Sequence, residues 1–151
     1  MVEASNRDGT LLVFAQRAQA RLEVEAWNQH GERFFGTRIG LAEPLERGGR
    51  IVIAPEGCEP GIRAVEGRGR SEDDLVRADL AEARAGGGGL ALLARRCHTV
   101  WLIERRSPTD TLALRLAAVM ASVLLGPILD PAAVEIFGVR TARMKLDAAA
   151  P

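Results

Sequence analysis

Tyrosine is absent from this 151-residue chain, lysine occurs once, at Lys145, and cysteine and histidine occur twice each. Two cysteines, Cys58 and Cys97, allow one disulfide at most, which excludes a disulfide-dense secreted scaffold. Neither those thiols nor His30 and His98 have the spacing of zinc ligands, so no metal and no cofactor is expected. Long apolar runs are also missing. The most apolar stretch, residues 112–129, is interrupted by Arg115 and broken at Gly126-Pro127, short of the roughly 20 residues that cross a bilayer. It reads as a buried helix, and no membrane contact is expected. The first ten residues lack the apolar stretch of a signal peptide, so the expected compartment is the cytoplasm. An excess of charge is lacking too. Twenty basic and twenty acidic residues cancel, which removes the positive field of a dedicated nucleic-acid binder. Arg95-Arg96 and Arg105-Arg106 have only Trp101 as a neighbouring aromatic, where base stacking needs several.

The residues present describe an ordinary globule, 47% apolar and 26% charged, long enough for one self-sufficient core. The near-total use of arginine for lysine, with abundant alanine and glycine, reads as the bias of a GC-rich bacterial coding sequence. Thr10–Ala15 is a short continuous apolar run, the mark of a strand buried on both faces. Residues 21–26 fit a strand or a helix start. Residues 27–46 fit a helical face poorly, with Phe35, Ile39 and Ala42 spaced for one, and Gly48-Gly49 ends that segment. A second buried strand follows at 50–54. Residues 55–70, rich in glycine, proline and charge, read as a long loop. Ser71 before Glu72, Asp73 and Asp74 is a helix start, and Gly86–Gly89 ends that helix before a short helical piece at 90–96. Residues 99–103 form the third buried strand. Ser107-Pro108-Thr109-Asp110 caps a helix over 111–125, and 134–139 closes the series as a strand. That alternation predicts a three-layer α/β domain over 10–146: a mostly parallel sheet of about four strands with helices on both faces. Residues 1–9 and 147–151 are expected to be disordered.

Open parallel sheets bind ligands beyond the carboxyl ends of their strands. Those ends are Gln16-Arg17, the loop 55–61 and residues 104–107. They predict a site built from Arg17, Glu56, Cys58, Glu59, Arg105 and Arg106. Arginines favour carboxylate or phosphate, so the expected ligand is a small anion. The bland reading of the same residues is a solvated rim in which acids and arginines pair with one another. Cys58 has no neighbouring base in sequence, and Gly86–Gly89 follows a helix without the lysine and hydroxyl of a phosphate loop.

Residues 42–53, with their Gly48-Gly49 turn and buried strand, and the loop Glu56-Gly57-Cys58-Glu59-Pro60-Gly61 resemble part of the nickel-pincer lactate racemases, more narrowly the C-terminal domain of their relatives. The resemblance spans residues 10–105. It implies a domain separated from its catalytic half, because the family's two acid–base histidines and its pincer-bearing lysine belong to an N-terminal domain absent here. The positions matching the family's carboxylate-binding glutamine and lysine are Phe34 and Thr37. The resemblance therefore implies a domain non-catalytic alone that binds a small anion or a protein partner, or completes a site with another chain. Two alternatives stand beside it. A methyltransferase-type transferase needs a glycine turn after the first strand, which Gln16-Arg17-Ala18-Gln19 lacks. An oligomerising structural protein would use the apolar segment 111–128 as its interface.

Overall fold

The computed structural model describes residues 9–16, 24–45 and 48–149. In chain order the elements are β1 (Thr10–Ala15), α1 (Val24–Phe35), β2 (Thr37–Leu45), β3 (Gly48–Pro55), β4 (Gly61–Gly69), α2 (Glu72–Ala85), α3 (Leu90–Arg95), β5 (Thr99–Glu104), α4 (Thr111–Leu124), β6 (Ile128–Asp130), β7 (Glu135–Phe137) and α5 (Val139–Ala149). Residues 147–149, placed in the tail by sequence, continue α5.

The strands form one seven-stranded sheet in the order β2-β3-β4-β5-β1-β6-β7. Every neighbouring pair is antiparallel. This overturns the expected parallel sheet of about four strands. The reason lies in which strands come between. Two crossovers do join strands of the same direction: β1 to β2, by way of α1, and β5 to β6, by way of α4. Strands of opposite direction are inserted in each gap, and β1 itself lies between β5 and β6. The β4–β5 connection is different, because α2 and α3 run out and back and return the chain to the end of the sheet it left. Two strands were hidden. β2 carries Gly40 and Pro44, and β4, read as loop, carries three glycines and the charged residues Arg63, Glu66 and Arg68. Gly67 of β4 lies close under the Trp101 ring, which a Cβ there would meet at 3.0 Å.

Helices cover both faces, as the alternation implied. On one face Leu11, Val13, Ile39, Ile51, Ile53, Trp101 and Ile103 pack with Trp27 of α1, Leu116 and Met120 of α4 and Leu146 of α5. On the other, Leu12, Phe14, Val100 and Leu129 pack under Leu75 and Ala78 of α2 and Ala91 and Ala94 of α3. β1 serves both cores and is buried along its whole length. Trp27 and Trp101 meet edge to face, centroids 5.5 Å apart. The free edge of β2 is blunted where the Ile39 amide donates to Asn28 Oδ1 of α1 at 2.7 Å, and where the register shifts between Leu41 and Glu43.

A side-chain hydrogen bond joins α1 to α4. His30 Nε2 lies 2.6 Å from Ser122 Oγ, with Arg33 of α1 and Arg143 of α5 on either side and Arg115 of α4 bonded to the nearby Phe35 carbonyl. Burial, then the charges of Arg143 and Arg33, hold the imidazole below its ordinary 6.5. As pH falls through 6.5 the unfolded chain therefore binds a proton before the folded one does, and stability declines. Above that pH the contribution is fully present. Urea midpoints measured from pH 7.5 to 5 are expected to fall, and His30→Gln should flatten that part of the slope. An unchanged slope would mean that His30 carries none of it.

Candidate functional site

Three arginines of the sheet grip three aspartates that organise turns or helix starts. Arg63 of β4 donates Nε and Nη2 to Asp110 Oδ2 and Oδ1 at 2.7 and 2.9 Å. Arg105, just past β5, donates Nη1 and Nη2 to Asp130 Oδ2 and Oδ1 at 2.7 and 2.9 Å. Arg68 holds Asp74 with the same forked geometry. Each aspartate also accepts main-chain amides: Asp110 from Arg106 and Ala113, Asp130 from Ala133, Asp74 from Ser71. Burial pushes the Asp110 carboxyl up, but the bonds from Arg63, the two amides and the Arg63 charge together outweigh it and hold the group below the ordinary carboxylate range.

The antiparallel register decides where the sequence-predicted residues fall. Thr10 pairs with Glu104 and Ala15 with Thr99, so the carboxyl end of β1 lies at the opposite end of the sheet from residues 104–107. Arg17 lies outside the described residues. Gln16, its neighbour, bonds to the Leu124 carbonyl at that far end. Loop 55–61 does share the end with residues 104–107, because β3 and β5 run the same way. The expected convergence of three loops is thus reduced to two. Glu56 and Cys58 line a shallow recess of about 520 Å³ with Glu32, Thr37 and Arg38, and Glu59 is exposed beside it. Arg105 is only 6% exposed and is committed to Asp130. Arg106 is exposed and donates to the Ile62 carbonyl at 3.2 Å.

The same end of the sheet holds a second cavity, of about 310 Å³, between the first turn of α4, α5 and the β6–β7 hairpin. Leu11, Leu114 and Phe137 supply apolar walls, and Arg105, Asp130 and Lys145 lie around them. Its volume sits at the low end for small-molecule sites, and its mixture of apolar wall and few polar groups is typical of them. The charges are not equally available. Asp110 accepts four donors. The Lys145–Glu135 pair is the loosest in the lining, with Nζ at 3.3 and 3.4 Å from the two carboxylate oxygens and side chains 35% and 49% exposed. Lys145 Nζ also lies 5.1 Å from the Phe137 ring centroid.

Sequence reading missed Leu11, Leu114, Phe137, Asp130 and Lys145 as site residues. Asp130 before Pro131 carries a turn signal, and Lys145 is conspicuous as the sole lysine, but nothing local links either to β1. The two thiols are free. Burial raises Cys97 to about 11, which leaves it an inert core thiol. Among the described residues no three histidines, cysteines or acids cluster as metal ligands, and no helix is long and apolar enough to cross a membrane. No protein-family model, curated protein or solved structure matches this chain.

Proposed function

We propose that this protein is a small cytoplasmic binding domain, non-catalytic alone, whose ligand is a small amphipathic carboxylate held in the cavity between α4, α5 and the β6–β7 hairpin. The observation that carries the reading is the pairing pattern of the lining. Arg105 is already neutralised in short forked bonds, whereas Lys145 is held by longer bonds, at 3.3 and 3.4 Å, to a half-exposed glutamate. A ligand carboxylate displaces Glu135 from Lys145 and releases it to water, while its apolar body covers Leu11, Leu114 and Phe137. None of this depends on the racemase resemblance. The anion sits on Lys145, away from the arginines to which the sequence assigned it.

A matched series tests it: hexanoate, hexylamine and hexan-1-ol, compared by thermal shift. Hexanoate is expected to raise the melting temperature, and Lys145→Gln to abolish that rise. At a ligand concentration 100 times the dissociation constant the stabilisation is about 2.7 kcal/mol, well within detection. Hexylamine matching hexanoate, or a hexanoate effect that survives Lys145→Gln, would refute the carboxylate assignment. Stabilisation by hexan-1-ol alone would leave a purely apolar site.

A further inference from the structure

The turn between β6 and β7 holds a strained residue. Val134 has φ 53°, in the left-handed region that a β-branched side chain adopts only at a cost. The conformation persists because the turn is fastened on several sides. Asp130, itself gripped by Arg105, accepts the Ala133 amide at 3.2 Å. Arg84 of α2 donates to the Ala133 carbonyl at 3.0 Å, and the Val134 amide donates to the Pro131 carbonyl at 3.3 Å. The hairpin beyond these fastenings is thin. β6 and β7 are three residues each, β6 joins β1 through only two register pairs, and among the described residues β7 pairs with β6 alone. The turn is also hollow on both sides. Asp130, Ala133 and Glu135 line the cavity assigned to the ligand, while Pro131, Ala132 and Val134 line a separate recess of about 420 Å³ against Val76 and Leu80 of α2.

We infer that the β6–β7 hairpin is a strap that opens locally, relieving the strain at Val134, and is the door through which ligand enters the cavity under it. This rests on the cavity being the ligand site. Space for the movement exists on the α2 side, the stored strain favours it and the ladder is short, while the burial of Ile128, Leu129, Ile136 and Phe137 in the two cores keeps the opening local and transient. Elements with few pairings and internal strain are those that open below the global unfolding free energy.

The test compares Val134→Gly with Val134→Ala. Both remove the two γ-methyl groups; glycine lacks the β-carbon as well and alone adopts positive φ freely. In hydrogen exchange on the free protein, amides of residues 129–137 should exchange about fivefold or more slowly in Val134→Gly than in Val134→Ala, with those of β3 and β4 unaffected. Equal or faster exchange in Val134→Gly would overturn the strap. Hexanoate should associate more slowly with Val134→Gly by the same factor as the exchange, at unchanged affinity, because entry and exit share the door. Slowed exchange with unaltered association would overturn the door while leaving the cavity as a site. If hexanoate fails to bind the wild-type protein, the cavity reading fails instead, and the exchange comparison still decides whether the hairpin opens.

Discussion

Asp110→Ala is expected to lower the unfolding free energy by about 3–5 kcal/mol, the cost of breaking a buried ion pair by removing one partner. The side chains of Arg63 and Asp110 are 8% and 4% exposed, so the substitution leaves a guanidinium desolvated without its counter-charge. Asp110 is also the N-cap of α4 and the acceptor of the Arg106 amide, so the connection from β5 loosens as well. Asp110→Asn keeps much of the cap and loses the charge; it should fall between wild type and alanine in urea denaturation. The depressed carboxyl gives the sign of the pH effect. Its stabilisation is fully present above the unfolded carboxylate value of about 3.9 and is lost as pH falls through the lower folded value. Asp110→Ala should therefore destabilise far less at acid pH than at neutrality. A loss below about 1 kcal/mol at neutral pH would show that the pair is solvated and contributes as surface pairs do.

Gly126→Ala should be at least as damaging, by more than about 3 kcal/mol, through overpacking against main chain that has nowhere to move. A methyl at this position would overlap the Phe14 carbonyl oxygen. Phe14 lies in β1, fully buried between β5 and β6, and the chain beside Gly126 is stitched to that strand: the Phe14 amide donates to the Pro127 carbonyl at 3.0 Å and the Gln16 amide to the Leu124 carbonyl at 3.1 Å. Relief would require peeling the α4–β6 connection off β1. Gly40→Ala is the matched control, since nothing lies within 4 Å of its added carbon; a change within about 0.5 kcal/mol is expected there. Equal effects at the two glycines would mean that the close approach of residues 124–127 to β1 is wrong.

What the sequence made legible was local. The continuous apolar run Thr10–Ala15 identified a strand buried on both faces, and it gives side chains to both cores along its whole length. Ser71 is the expected N-cap, and the structure closes it with Asp74 into a capping box; within the expected capping segment 107–110, Asp110 is the cap. The sheet's polarity was not legible, because it depends on strands whose patterns are weak. β4 alternates Arg63, Val65 and Gly67 toward one face with Ala64, Glu66 and Arg68 toward the other, and its buried arginine reads as exposed until Asp110 is brought to it from 47 residues away. Missing β2 and β4 turned an antiparallel sheet into an apparent βαβ series, and the site inherited the error. In a parallel sheet all carboxyl ends share one edge. Here β1 delivers Gln16 to one end and β5 delivers Arg105 to the other. Arg105, expected to bind an anion at the strand ends, is instead the clamp on Asp130. Lys145 could not be assigned from sequence, since its neighbours Glu135 and Phe137 reach it only through the hairpin.

The central claim, that a carboxylate occupies the cavity between α4, α5 and the hairpin, is tested most directly by a crystal structure of the protein grown with hexanoate. The expected structure has hexanoate with its chain against Leu11, Leu114 and Phe137, its carboxylate within hydrogen-bond distance of Lys145 Nζ, and Glu135 turned toward solvent. Hexanoate bound instead in the recess beside Glu56 and Cys58, or a cavity still closed over an intact Lys145–Glu135 pair at saturating hexanoate, would contradict it.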